Sequence, residues 1–116
     1  MLPATARLTR REDFSRTLRH GRRAGRTLVV MHVLLPETPC PRPPRVGLVV
    51  SKAVGGSVVR HRVSRQLRHV MKDRLSALPP GSDVVIRALP RSAGAESARL
   101  ASEVDRALRV LVPGSS

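Results

Sequence analysis

Aromatic residues are almost absent from this chain of 116: Phe14 is the single one, and there is no Trp or Tyr. A large aromatic core, a broad base-stacking platform and an aromatic cation cage are thereby ruled out, and packing must rest on Val, Leu and Ala. Cysteine is as scarce. Cys40 stands alone in Pro39-Cys40-Pro41, which leaves no disulfide framework and no thiolate metal site, and fits a reducing compartment. No window approaches the ~20 apolar residues of a membrane span, and the start MLPATARLTRRED lacks the apolar stretch of a secretory signal. The expectation is a cytoplasmic protein with no membrane partner.

Acid is the other deficit. Eight Asp and Glu face 20 Arg and 2 Lys, a formal net charge of +14 with neutral histidines. An imbalance of this size implies a polyanionic partner. The length suits one compact domain, placed at residues 1–112, with Pro113-Gly114-Ser115-Ser116 as a frayed tail. A membrane-surface use of the charge would need a basic helix with a broad apolar face open to lipid, and nothing in the pattern demands one.

Thr9-Arg10-Arg11-Glu12 has the form of a capping box and opens a short amphipathic helix with Phe14 and Leu18 on one edge and Gly21 as its stop. On pattern alone that edge reads as core. Thr27–Leu35 and Arg45–Lys52 read as strands and as antiparallel neighbours, joined by PETPCPRPP, a surface loop whose five prolines cannot supply ladder hydrogen bonds. Gly55-Gly56 then breaks the pattern, with Ser57 as N-cap of a helix over Val58–Leu78 that Pro79-Pro80-Gly81 ends. Asp83–Leu89 is a buried-type strand, and a last helix carries Leu100, Val104, Ala107, Leu108 and Leu111 at helical spacing. The predicted order is α-β-β-α-β-α, an α+β sandwich with a small central sheet.

The helix over Val58–Leu78 carries the most information. On a helical wheel Val59, Val63, Leu67, Val70 and Leu78 share one face, while His61, Arg65, Arg68 and Lys72 stack along the opposite one, flanked by Arg60 and Arg62. Like charges at i, i+4 repel, and Asp73 is the only carboxylate between Glu37 and Asp83. A merely solvated helix would intersperse Glu with its Arg. A phosphate-binding face accounts for the pattern better, because a planar guanidinium can bond two phosphate oxygens at once. Backbone N–H groups at Gly55, Gly56 and Ser57, together with the positive end of the helix dipole, offer an anion seat beside that face.

Side-chain catalysis finds little support. His20, His32, His61 and His69 lie on different elements or two helical turns apart, no closely spaced carboxylate pair appears, and no nucleotide-binding glycine motif is present. Ser51 beside Lys52 lacks a third group and reads as structural or phosphate-facing.

The run VGLVVSKAVGGSVVRHRVSRQLRHV, Val46–Val70, closely resembles the bacterial ribonuclease P protein subunit. That family has a strand ending in Ser-Lys, a Gly-containing turn, and a helix opening Arg-Asn-Arg followed by Lys-Arg and a further Arg. Here those places hold Ser51-Lys52, Gly55-Gly56, Arg60-His61-Arg62, Arg65 and Arg68. Arg7–Arg23 is similar to the family's first helix, and Gly81–Pro90 to its later strand, so the likeness covers most of the chain. His61 stands for the usual Asn and Ser64 for the usual Lys, and Leu18 and Met31 occupy places that are often aromatic.

The resemblance implies a protein that joins a large catalytic RNA and assists removal of the 5′ leader from precursor tRNA. It implies that RNA and Mg²⁺, held mainly by the RNA, perform the hydrolysis, with no protein-bound cofactor and no obligate protein partner. Lys52, Arg60, His61, Arg62, Arg65, Arg68 and Lys72 are the implied contacts to the catalytic RNA. A groove between the first helix and the sheet, with Phe14, Leu18, Met31 and Arg68, is implied to hold the single-stranded leader. A left-handed strand-helix-strand crossover is also implied, against the usual right-handed rule. Two rivals share the charge and the small α+β design: a ribosomal protein or RNA chaperone, and a DNA-binding module whose recognition helix would have only Gln66 to read bases.

Overall fold

In a computed structural model that describes residues 2–112, three α-helices and one mixed four-stranded sheet form an α+β sandwich. The tail expected at 113–116 lies outside the described residues. The helices are α1 (Arg11–His20), α2 (Ser57–Lys72) and α3 (Ser97–Leu111), and the strands are β1 (Arg22–Gly25), β2 (Val29–Leu34), β3 (Arg45–Val49) and β4 (Asp83–Ala88). Three short 3₁₀ turns, at Ala4–Ala6, Leu75–Ala77 and Pro90–Ser92, punctuate the chain. No helix among the described residues is long and apolar enough to cross a membrane.

The sheet order is β1-β2-β4-β3, with β3 parallel to β4 and the other pairs antiparallel. The two strands expected to be neighbours, β2 and β3, are therefore separated by β4. The long proline segment allows this, since it carries the chain past the place that β4 later fills. β4, like β2, is paired on both sides, and all its residues but Arg87 are buried. The β3–α2–β4 unit supplies the parallel pair.

A fourth strand, β1, was not expected. Its residues Arg22-Arg23-Ala24-Gly25 have no apolar alternation, and it forms because Arg22–Gly25 pairs with Val30–Val33 of β2. Gly21 ends α1 as expected, in an extended conformation that leads into β1: its φ is −74° and its ψ 158°. Glycine is needed there because a Cβ would stand 2.5 Å from the Thr17 carbonyl oxygen.

The capping box is likewise not made. The N-cap of α1 is Arg10, with no side-chain cap. Leu8 donates its N–H to the Val46 carbonyl at 2.9 Å, so the segment before α1 runs along the outer edge of β3 and stays extended through Arg10. That segment covers an edge otherwise open to strand addition. In α2 the N-cap is Gly56, one residue before the expected Ser57, and the helix ends at Lys72 before Leu78, which a 3₁₀ turn carries into the core.

The core lies on one face of the sheet. Val29, Met31 and Val33 of β2, and Val84, Ile86 and Ala88 of β4, meet Val63, Leu67, Val70 and Met71 of α2 and Leu100, Val104, Leu108 and Leu111 of α3. Val59, expected on the buried face, is only half-buried. The other face carries α1. Phe14 seats its ring on Gly47, where an added Cβ would lie 2.4 Å from Phe14 Cζ.

Candidate nucleic-acid interface

Two surfaces meet on α2. Its 3.6-residue period turns Val63, Leu67, Val70 and Met71 inward, Gln66 toward the start of α3, and Ser64 and Arg68 toward a groove at the β3 edge. His61, Arg62, Arg65 and Lys72 are exposed, and Arg60 and Arg68 are half-buried. No carboxylate among the described residues pairs with any of the Arg or Lys of α2. Arg60 Nε is buried with no partner. Three acids pair with arginines elsewhere: Asp83 with Arg42 and Arg45, Asp13 with Arg16 and Arg45, and Asp105 with Arg74. Glu103 accepts the Leu28 N–H at 2.7 Å. The fold thus uses acid to lock arginines that hold elements together and leaves the α2 cations uncompensated.

The loop before α2 matches the expected anion seat only in part. Gly55 has φ +155°, a conformation that favours glycine, and its N–H is already donated to the Lys52 carbonyl at 3.2 Å. The N–H groups of Gly56 and Ser57 remain at the helix start, beside exposed Lys52. Lys52 sits in the turn after β3, which ends at Val49 and not at Lys52.

The groove has a volume of about 390 Å³. Phe14 from α1, Gly47 and Leu48 from β3, and Ser64 and Arg68 from α2 line it, and Arg7, Leu8 and Thr9 close its outer side. Two of the four residues expected to bind a leader, Phe14 and Arg68, therefore come together across it. Leu18 is 42% exposed on α1 and does not line it. Met31 is a correction: it is 0% exposed, in the core beneath α2 and α3, on the opposite face of the sheet from α1. Side chains alternate along a strand, so the residue next to it faces the α1 side.

That residue is His32. It is 9% exposed, its Nδ1 is buried without a partner, and it stands opposite Arg23 of β1 with Arg87 of β4 nearby. Burial, then the charges of Arg23 and Arg87, hold its pKa below the ordinary histidine value, which favours the neutral ring. The signal available in the sequence was a lone polar residue inside an apolar strand. The contribution of Arg7, Leu8 and Thr9 left no such trace, because it depends on the N-terminal segment pairing with β3.

Gln66 donates to the Ala95 carbonyl and the Ser97 hydroxyl, both at 3.1 Å, so it braces α2 against α3 and is not available to read bases. The described residues bring together no group of three or more His, Cys, Asp or Glu side chains suited to a metal ion.

Comparison with known proteins agrees with this arrangement. The ribonuclease P family model matches residues 2–112. The ribonuclease P protein component of Streptomyces bikiniensis is 54% identical over 122 aligned positions, covering 100% of this chain and 99% of that protein. The Mycobacterium avium counterpart is 49% identical, covering 99% of this chain and 98% of its own. Among solved structures, the Staphylococcus aureus RNase P protein shares the fold with a TM-score of 0.77 at 21% identity, over 90% of this chain and 94% of that one. The Thermotoga maritima RNase P protein aligns with a TM-score of 0.73 at 19% identity, over 92% of this chain and 98% of that one. With its unpaired basic helix bordering a groove, and relatives that match it from end to end, the chain belongs to the ribonuclease P protein-component family.

Proposed function

We propose that the protein binds the catalytic RNA of ribonuclease P through the exposed cations of α2 and Lys52, and holds the 5′ leader of precursor tRNA in the groove between Phe14 and Arg68. One observation carries this reading: Arg68 belongs both to the unpaired basic helix and to the groove lining, so a single side chain joins the two RNA surfaces. Beyond the groove, exposed Arg23 and Arg87 flank the neutral His32 on the α1-side face of the sheet and extend the cationic track for a leader's phosphates. With Phe14 as the only aromatic, stacking is limited to one ring, and arginine supplies the remaining contacts.

Among the described residues Asp13, Asp83 and Asp105 are held by arginines, and in this reading the protein contributes binding and screening. In this reading Mg²⁺ is held by the RNA and supplies the hydrolytic chemistry there. Catalytic RNA and precursor tRNA are both polyanions, and a +14 protein seated between them reduces the repulsion that metal ions must otherwise offset. Such a complex works in the cytoplasm, where precursor tRNA is made.

Reconstitution tests this. The protein, a catalytic RNA and labelled precursor tRNA are mixed at low Mg²⁺, and leader release is followed. Cleavage at Mg²⁺ concentrations where the RNA alone is inactive is expected. An identical Mg²⁺ requirement with and without the protein would overturn the reading and favour a ribosomal protein or RNA chaperone.

A further inference from the structure

The groove wall formed by α1 is attached to the sheet in an unusual way. The buried side chains of α1 are Asp13 and Thr17, and no residue of this helix belongs to the apolar core. An ionic chain holds its first turns instead. Arg45 Nη1 stands 3.2 Å from Asp13 Oδ2, while the same guanidinium grips Asp83 in a two-pronged pair, Nε to Oδ1 and Nη2 to Oδ2, each 2.9 Å. Asp13 pairs through its other oxygen with Arg16. Arg42, from the proline segment, reaches Asp83 at 3.2 Å and donates to the Gly81 carbonyl at 2.8 Å.

Asp13 and Asp83 are 7% and 3% exposed, so removing one partner leaves a charge uncompensated in a poorly solvated place. Hydrogen bonding to Asp83 raises the Arg45 pKa further and keeps that guanidinium charged. Such a chain is directional. It fixes orientation as well as depth, which apolar contact does less strictly. Phe14, the next residue after Asp13, places its ring on Gly47 in the groove. One peptide unit therefore connects the ion chain to the aromatic wall.

We propose that Asp13 and Arg45 are positioning residues for precursor tRNA: their ion pair, continued to Asp83, sets where α1 and the Phe14 ring stand, and so the space open to a single-stranded leader. Neither residue lines the groove, and both act through Phe14. The inference rests on the reading that the groove holds the leader.

The test uses the reconstituted holoenzyme with Asp13→Asn, Arg45→Lys and Phe14→Ala proteins. Affinity is measured for precursor tRNA, for mature tRNA without a leader, and for the catalytic RNA, along with kcat and KM. Asp13→Asn is expected to weaken precursor binding about tenfold. KM rises accordingly, while kcat, mature-tRNA binding and catalytic-RNA affinity change less than about twofold on the same scale. Arg45→Lys, which keeps the charge and loses the two-pronged geometry, gives a smaller loss with the same selectivity, and serves alone if Asp13→Asn does not fold. Equal losses for precursor and mature tRNA would make the pair a structural pin only and overturn the proposal. So would an unchanged precursor affinity in Asp13→Asn or Arg45→Lys beside a selective loss in Phe14→Ala. If Phe14→Ala also binds both tRNAs normally, the leader reading itself falls, and the positioning role with it.

Discussion

α1 and α2 are both basic helices laid on the same sheet, and they are held by opposite means. α2 buries Val63, Leu67, Val70 and Met71, and its cations pair with no acid among the described residues. α1 buries Asp13 and Thr17, and ties Arg16 and, through Asp13, Arg45 into ion pairs. In the proposed reading the difference separates two tasks. A helix that must present charge to RNA is anchored by apolar contact, which spares its arginines. A helix that must hold an aromatic wall at a set distance from a strand is anchored by directional pairs.

The sharpest way to break the comparison is to remove the apolar anchor. Leu67 is 0% exposed, and Leu67→Ala is expected to cost about 2–5 kcal/mol in chemical denaturation, from lost burial plus the cavity left behind. Substitutions in α1 at Leu18, 42% exposed, should leave stability within about 0.5 kcal/mol. A similar cost at both positions would contradict the division.

Gly47→Ala comes next. Its Cβ would stand 2.4 Å from the Phe14 ring, so the ring must move out of its seat. Precursor tRNA affinity should fall by about 1 kcal/mol or more while catalytic-RNA affinity holds. Comparable losses toward both RNAs would merge the two surfaces into one.

Arg65 and Arg99 sharpen the α2 side. Both are exposed, but Arg65 lies on α2 and Arg99 on α3. Arg65→Ala should weaken catalytic-RNA binding by roughly 1 kcal/mol and flatten its log-log salt dependence by about 0.7 to 0.9, as expected for one lost phosphate contact. Arg99→Ala should change neither, and equal effects would remove α2 from its assigned role.

The smallest effect is the pH dependence of stability. His32 has a lowered pKa in the fold, so the unfolded chain binds its proton more readily, and stability falls as pH drops through about 6.5. Asp105 is lowered by its hydrogen bond to Arg74, so its contribution is present above the ordinary carboxylate range and is lost as pH falls below it. Thermal melts of the protein and His32→Gln should converge near pH 8 and separate toward pH 5.5, with His32→Gln losing less; parallel curves would show that His32 titrates normally.

Much of this architecture could be read before any coordinates. The α2 wheel and the five other predicted elements follow from apolar periodicity, and the family follows from the resemblance carried by the run Val46–Val70. What escaped depended on partners distant in sequence. β1 has no pattern of its own and exists through its pairing with β2. The Thr9 cap fails because Leu8 is bonded to Val46, a contact made by residues far apart in the chain. The Met31 assignment came from the family resemblance and not from a strand pattern; Met31 lies one residue from His32, and one step along a strand moves a side chain to the other face. β4 lies between β2 and β3, where Arg45 of β3 meets Asp83 of β4 in register, and neither residue is apolar.

Site-specific crosslinking tests the central claim, two RNA surfaces joined at Arg68, most directly. A short photoreactive side chain is placed at position 14 or at position 65 of the protein, and the holoenzyme is irradiated with precursor tRNA bound. Crosslinks from position 14 to the 5′ leader and from position 65 to the catalytic RNA are expected. Crosslinks from both positions to the same RNA, or leader crosslinks from position 65 alone, would contradict the claim.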